Sequence, residues 1–161
     1  MSQAGKTTTS VLRWVSLAAD PVLVEAAATI EADVPPFLAE LTRGPREQLS
    51  AAHPGCSFVV LEDRVPVAVV RAVRLAWDGS AGDAPGAGAG EALARADEPG
   101  ADTLAVLDVL VAAGARGRGI GRRVLAGLDE RRRELGLARL LVLLQPHAKV
   151  AYPLVPFARY A

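Results

Sequence analysis

The feature that most constrains the fold is a turn rich in glycine and arginine, residues 115–123, which reads ARGRGIGRR. The apolar run 102–111 before this turn predicts a strand, and the apolar spacing after it predicts an amphipathic helix over 119–135. A second apolar run, 139–144, predicts another strand. The four segments together predict one β-turn-α-β unit.

The chemistry of this turn points to phosphate binding. Glycines let the backbone approach a ligand closely, and consecutive N–H groups at a helix N-terminus attract anions. Four arginines add charge-assisted donors: Arg116, Arg118, Arg122 and Arg123. A Walker P-loop is excluded because the turn contains no lysine. A dinucleotide fingerprint fits poorly, because Arg122 stands where its third glycine belongs. The turn therefore predicts a pyrophosphate cradle.

The charge distribution limits the kind of anion. Eighteen basic residues balance eighteen acidic ones, which argues against a general polyanion binder, so we expect no nucleic-acid partner. Residues 1–101 hold 8 basic and 13 acidic side chains, whereas residues 102–161 hold 10 basic and 5 acidic ones. The positive charge is therefore concentrated in the third of the chain that contains the glycine turn.

Several other classes of protein are disfavoured by simple counts. Cys56 is the only cysteine, which excludes an internal disulfide and a cysteine-built zinc site, and with only His53 and His147 beside it we expect no metal. No uncharged apolar run reaches the roughly 18 residues that a membrane span needs, and the first residues lack a secretory signal. We expect a cytoplasmic protein that makes no membrane contact.

The rest of the chain predicts one α/β domain over residues 1–161, with a disordered start at 1–10 and a Gly/Ala-rich loop at 78–101. Loops of this length are either functional or disordered, and we expect this one to be disordered or loosely packed, with residues 91–96 able to form a short helix. A short strand is expected at 11–15, followed by a helix to about residue 32 with Asp20 as its N-cap. A hairpin is expected from strands 57–62 and 65–77. Alternation in its second strand places one set of residues on a common face: Val67, Val69, Arg71, Val73 and Leu75. The helix 119–135 is expected to bury Val124, Leu125, Leu128 and Leu135.

The order of residues in the turn carries a family resemblance. Arg116-Gly-Arg-Gly119-Ile-Gly121 fits the pattern of Gln or Arg, two residues, Gly, one residue, and Gly or Ala. Because it follows an apolar strand and opens a helix, it resembles the acyl-CoA-binding motif of the GNAT superfamily of N-acetyltransferases. The resemblance extends from residue 57 to the end, where YPLVPFARY (152–160) looks like a bacterial branch of that superfamily. It implies a mixed-sheet GNAT-like acyl-CoA N-acyltransferase fold.

The resemblance also implies a cosubstrate, acetyl-CoA or another acyl-CoA, and the residues that hold it. Backbone groups of Val109, Leu110 and Val111 would pair with the pantetheine amides. N–H groups of the turn would hold the pyrophosphate, namely those of Arg116, Gly117, Arg118, Gly119, Ile120 and Gly121. The side chains of Arg116, Arg118 or Arg122 would contact phosphates.

The implied reaction is direct attack of a primary amine, from a small molecule or a peptide, on the thioester. Such attack needs a base for the amine and an acid for the departing thiolate, but no cysteine nucleophile. Asp108 is the only carboxylate on the motif strand that could serve as base, although an ordinary strand position also explains it. Tyr152 is the candidate acid, with Tyr160 and His147 as alternatives and a packing role beside Pro153 also open.

The family fold usually continues with a further helix and final strands, whereas this chain stops at Ala161. We therefore expect the C-terminal strands to be missing. This keeps a second interpretation open, a catalytically weak acyl-CoA-binding or regulatory module. An unpaired sheet edge after residue 144 would favour a homodimer.

Overall fold

A computed structural model describes residues 10–33, 52–85 and 89–143. The elements in chain order are β1 (Leu12–Ser16), α1 (Leu23–Ala32), β2 (Phe58–Glu62), β3 (Val65–Leu75), α2 (Ala89–Ala94), β4 (Thr103–Val111), α3 (Ile120–Glu134) and β5 (Arg139–Val142). The strands form one sheet in the order β1-β2-β3-β4-β5, in which β1 to β4 are antiparallel and β5 is parallel to β4. The predicted mixed α/β fold is confirmed.

Helices cover both faces of the sheet. On one face α3 packs on β2, β3 and β4, and the buried members of this layer include Phe58, Val60, Val70, Leu104, Val106, Ile120, Val124 and Leu128. On the other face α1 and α2 cover Val59, Leu61, Val69, Val73, Leu75 and Ala105. β3 is therefore buried on both sides from Val67 to Val73, which makes it the rigid centre of the sheet.

The hairpin between β2 and β3 contains both a predicted turn and an unpredicted irregularity. Asp63 and Arg64 have positive φ angles of 49° and 70°, the backbone of a type I′ turn, which matches the twist of the strands. The pairing shifts between Val60 and Leu61, which leaves Val67 as an extra residue. Val67 consequently packs in the layer under α3, so the prediction that it shares the face of Val69 is wrong.

Two predictions about the helices also need correction. Asp20 is not the N-cap of α1, because its side chain accepts the N–H of Val22 at 3.2 Å in a turn and the helix begins only at Leu23. Leu125 is 42% exposed, since it lies outside the stripe of α3 that faces the sheet.

α3 ends at Glu134, within one residue of the end predicted from the sequence. Gly136 has a φ of +69°, and its N–H binds the carbonyl of Arg133 at 2.9 Å while the N–H of Leu137 binds that of Arg132 at 3.0 Å. This is a Schellman cap, which directs the chain from the helix into β5.

The glycine-rich segment between β3 and β4 is packed where the structure describes it. Arg95 donates to the carbonyls of Ala76 at 2.6 Å and Asp83 at 2.7 Å, and the indole N–H of Trp77 donates to the carbonyl of Ser80. α2 lies in this segment and buries Ala92 against β3 and β4. Its described parts therefore differ from the loosely packed loop that was predicted. No helix within the described ranges has the length and apolar character to cross a membrane.

Gly127 provides a test of how tightly α3 packs on the sheet. A Cβ at this position would lie 2.9 Å from Cζ2 of Trp14, whose ring packs edge-on against Phe58. Exposed glycines in helices usually gain about 1 kcal/mol when replaced by alanine. Here we expect Gly127→Ala to lower the free energy of unfolding by about 1–3 kcal/mol, because Trp14 must move.

The measurement is urea unfolding, with Gly121→Ala as the control within the same helix. A Cβ at Gly121 would meet Val111 at an ordinary 3.8 Å, so this variant should keep or gain stability. A Gly127→Ala protein that is as stable as the Gly121→Ala protein would contradict the predicted clash.

Candidate functional site

The predicted phosphate cradle lies between β4 and α3. A short 3₁₀ turn, Ala113–Ala115, follows β4, and the chain then turns through residues 116–119 into the helix. Gly117 and Gly119 have φ angles of +74° and +75°, and nothing lies within 4 Å of where their side chains would start. Glycine is therefore required at both positions for backbone conformation and not for lack of space.

This backbone leaves a row of N–H groups without partners. The first N–H bonded to the helix backbone is that of Arg123, which donates to the carbonyl of Gly119 at 3.1 Å. The N–H groups of residues 117–122 have no acceptor in hydrogen-bond geometry among the described residues. The N–H of Arg116 is used by the 3₁₀ turn, so the open row is shifted by one residue from the predicted 116–121.

The open row has the properties of an anion site. Gly117 and Gly119 are left-handed at alternate positions, and left-handed residues of this kind occur in the backbone nests that bind anions. The positive end of the α3 dipole lies at the same place. The geometry therefore suits a phosphate held mainly by the main chain.

Most of the arginines in the turn already have partners. Arg118 and Arg123 both form ion pairs with Glu62, Arg123 at 2.8 Å. Arg116 donates from Nε to the carbonyl of Val111 at 3.0 Å. Arg122 is exposed and forms no ion pair within the described part of the chain. Among the arginines predicted to contact phosphate, Arg122 therefore has the side chain most available to bind it.

Glu62 is the main residue of this region that the sequence analysis missed. It is only 6% exposed, and besides the two arginines it accepts a hydrogen bond from Ser10. The hydrogen bonds from Ser10 and Arg123 lower the pKa of the Glu62 carboxyl. Glu62 thus joins the end of β2 to the turn before α3, but its partners lie 52 to 61 residues away, too far for a local pattern to reveal.

A second part of the site is the edge of β4 beyond Val106, which pairs with no strand among the described residues on the side of β5. Parallel pairing with β5 ends at Val106↔Val142, while β4 continues to Val111. Ala112 donates its N–H to the carbonyl of Val67 at 3.0 Å on the β3 side. Because backbone groups alternate along a strand, those of Val109 and Val111 point away from β3, and those of Leu110 point toward it. The predicted trio 109–111 therefore presents two residues to the open edge.

A bulge marks the point where β4 leaves β5. Arg71 pairs with Asp108 and Ala72 with Val106, so Leu107 is an extra residue. Opposed residues of an antiparallel pair share a face, which puts the side chains of Arg71 and Asp108 on the face covered by α1.

Arg71 is buried to an unusual degree for a charged residue. It is 2% exposed, and its Nε donates to Oε1 of Glu31 at 2.9 Å, as does its Nη2. Its Nη1 is buried and has no hydrogen-bond partner among the residues that the structure describes. The sequence analysis treated Arg71 only as one member of a strand face.

The remaining predicted site residues contribute less to the description. Tyr152, Tyr160 and His147 lie outside the described residues, so their roles stay predictions.

Cys56 is buried, and burial raises the pKa of its thiol, which is unfavourable for a nucleophile. Within the described ranges no three His, Cys, Asp or Glu side chains are grouped as metal ligands.

Comparison with known proteins identifies the fold. A family model described as acetyltransferase (GNAT) family matches residues 26–154. No curated protein matches the chain significantly. The GphF GNAT-like decarboxylase in complex with isobutyryl-CoA superposes with a TM-score of 0.66 and 18% identity over 93% of this chain and 74% of that one.

Two further solved structures agree. The loading GNATL domain of CurA from Lyngbya majuscula gives a TM-score of 0.56 and 14% identity over 93% of this chain and 72% of that one. A GCN5-related N-acetyltransferase from Ralstonia eutropha JMP134 gives a TM-score of 0.52 and 14% identity over 89% of this chain and 88% of that one. The GNAT fold expected from the turn is confirmed.

The buried carboxylate of Glu62 makes a pH-dependent contribution to stability. Because its pKa is lowered in the folded state, this contribution is complete above the ordinary glutamate pKa and is lost as the pH falls through the lowered value. We expect Glu62→Gln to be less stable than the wild type at pH 7, with a difference that shrinks below about pH 4. Thermal unfolding of both proteins from pH 7 to pH 3 measures this, and a difference that does not change with pH would contradict it.

Proposed function

The chain belongs to the acetyltransferase (GNAT) family, and on this basis we propose that it transfers an acetyl group from acetyl-CoA to a primary amine of a small molecule or peptide. The matched residues, 26–154, include the turn, α3 and the whole of β4. The observation that carries the proposal is the row of N–H groups at residues 117–122, which have no acceptor in the described part of the chain, beside the edge of β4 that no described strand covers beyond Val106.

In this proposal the pyrophosphate of the cosubstrate accepts hydrogen bonds from the open N–H row. Arg122 supplies a further cation from the exposed side of the turn. Arg116 can exchange its bond to the Val111 carbonyl for a phosphate oxygen, which would also free that carbonyl for a pantetheine amide. Binding of the phosphates would therefore free the Val111 carbonyl, which the pantetheine amide of the same cosubstrate then needs as its acceptor.

The pantetheine arm then follows the free edge of β4 away from the turn. Val109 and Val111 offer backbone donors and acceptors along this edge. A strand rises about 3.3 Å per residue, so Asp108 lies about 10 Å from Val111 along the edge. An extended arm anchored at the turn thus brings the thioester to the bulge at Leu107 and Asp108.

The proposed chemistry is a direct attack. The amine nitrogen bonds to the thioester carbonyl carbon, the carbon–sulfur bond breaks, and CoA leaves as a thiolate. Asp108 accepts the proton that the amine loses, and Tyr152 donates a proton to the thiolate. No covalent intermediate with the protein forms, in keeping with the raised pKa of the Cys56 thiol.

The first test is calorimetry with acetyl-CoA, CoA and ATP. We expect acetyl-CoA and CoA to bind the wild type, and Gly119→Asp to weaken both by about tenfold or more, because a carboxylate then faces the phosphates. Gly136→Asp is the matched control: it has a similar φ and lies at the other end of α3, so its binding should be unchanged. Tight ATP binding without a response to CoA would contradict the proposal.

The second test is thioester consumption across a panel of amines. We expect turnover by the wild type, and a loss of about a hundredfold in kcat for Asp108→Asn with an unchanged affinity for acetyl-CoA, since the general base is removed. Undiminished kcat would exclude Asp108 as the base. Acetyl-CoA binding without consumption on any amine would instead support an acyl-CoA-binding or regulatory role.

A further inference from the structure

The carboxylate of Glu62 belongs to a rigid part of the sheet and lies beside the turn that precedes α3. Glu62 is paired with Leu12 of β1 on one side and with Val65 of β3 on the other. Only 6% of its surface is exposed, and its carboxylate accepts a hydrogen bond from Ser10. The backbone that carries this carboxylate is therefore held on both sides, and its side chain is enclosed.

Two arginines of the turn and of α3 meet at this one carboxylate. Arg118, which lies between the two left-handed glycines, pairs with Oε2 of Glu62, while Arg123 in the first turn of α3 pairs with Oε1 at 2.8 Å. The chain between these two arginines supplies most of the N–H groups in the open row 117–122. Glu62 therefore ties the row to the sheet near both of its ends.

The turn needs such ties because its glycines make it flexible. Gly117 and Gly119 have positive φ angles in the fold, but a residue without a Cβ has the widest choice of other conformations. Fixing the backbone of a single residue changes an equilibrium constant by about fivefold to thirtyfold. An anion that first has to order a loosened turn would bind more weakly by a factor of that size.

The charge of Glu62 acts in the opposite direction. A carboxylate next to an anion site repels the anion, and its loss would also release the side chain of Arg118. The ion pair is partly open to solvent, since the Arg118 side chain is 54% exposed, and pairs of that kind are worth at most about fivefold in an equilibrium constant. The ordering of the turn therefore has the larger effect on affinity.

We propose that Glu62 is a positioning residue of the cosubstrate site, which holds the N–H row 117–122 in its binding conformation before the phosphates arrive. This step rests on the proposed function, because it takes the phosphates of acetyl-CoA as the anion. It predicts that removal of a negative charge weakens the binding of a negatively charged ligand. Electrostatic repulsion alone predicts the opposite sign.

The test compares Glu62→Gln with the wild type at pH 7, at a temperature where thermal unfolding shows both to be folded. We expect the Kd of acetyl-CoA from calorimetry, and its KM in the thioester assay, to rise about tenfold, while kcat at saturation changes by less than about twofold. S-acetylpantetheine has no phosphates and does not use the N–H row. Its kcat/KM should therefore change by less than about twofold, whereas a general loss of structure would lower it as well.

Two further variants assign the effect to the contact between the turn and the sheet. Glu130→Gln makes the same chemical change about 15 Å along α3 from Ile120, where Glu130 pairs with Arg131, and it should leave the Kd of acetyl-CoA unchanged. Arg123→Gln removes the contact from the side of the helix and should also weaken binding. The double variant Glu62→Gln, Arg123→Gln should bind about as weakly as Glu62→Gln alone, because both changes remove the same contact.

The outcomes separate this inference from the proposed function. A Glu62→Gln protein that binds acetyl-CoA as tightly as the wild type, or more tightly, would overturn the inference and leave the proposed acetyltransferase intact. An equal loss of kcat/KM with S-acetylpantetheine would assign Glu62 to the stability of the whole fold and would also overturn it. A wild type that does not bind acetyl-CoA would overturn the proposed function and this inference with it.

Discussion

The arrangement of the turn before α3 depends on one buried carboxylate. Glu62 is the last residue of β2, and its carboxylate forms ion pairs with Arg118 and Arg123 and accepts a hydrogen bond from Ser10. These contacts hold the turn against the sheet and against the chain before β1. A buried carboxylate without such partners would be strongly unfavourable. The same contacts direct two of the turn's arginines toward the protein, which leaves the main-chain N–H groups as the surface that meets an anion.

The sheet makes the neighbouring free edge rigid. β3 is covered on both faces, and β4 is paired with it along its whole length, so the edge of β4 beyond Val106 is held in place although no described residue pairs with it on the side of β5. The bulge at Leu107 lies where this pairing with β5 ends. One irregularity therefore lies beside the last described pair of β4 and β5 and puts Asp108 and Arg71 on the α1 face, while the hydrophobic layers on both sides stay packed.

Much of this could be predicted from local sequence. Apolar spacing predicts the strands and α3, and glycines stand at two positions where a positive φ is needed, Gly119 before α3 and Gly136 after it. The predictions for Asp20 and Leu125 failed for local reasons, a turn before α1 and the face of α3, whereas the other failures depended on distant pairing. Val67 changes face because of a bulge, and the roles of Glu62 and Arg71 rest on partners 40 or more residues away. A periodic pattern contains no information about such partners, so charged residues inside apolar strands were treated as ordinary strand positions.

The two halves of the proposed site differ in how many positions need a particular amino acid. The cosubstrate half uses main-chain groups, so few of its positions need a particular residue. Gly117 and Gly119 are needed for their positive φ angles, whereas a Cβ at Gly121 would make only an ordinary contact. The fold itself persists at the 14–18% identity that separates this chain from the solved structures that share it. The proposed catalytic role of Asp108, by contrast, depends on a side chain, and a single substitution there removes its charge. Positions of the first kind need only a backbone conformation, so the fold can be kept while the side chains around the bulge at Leu107 change.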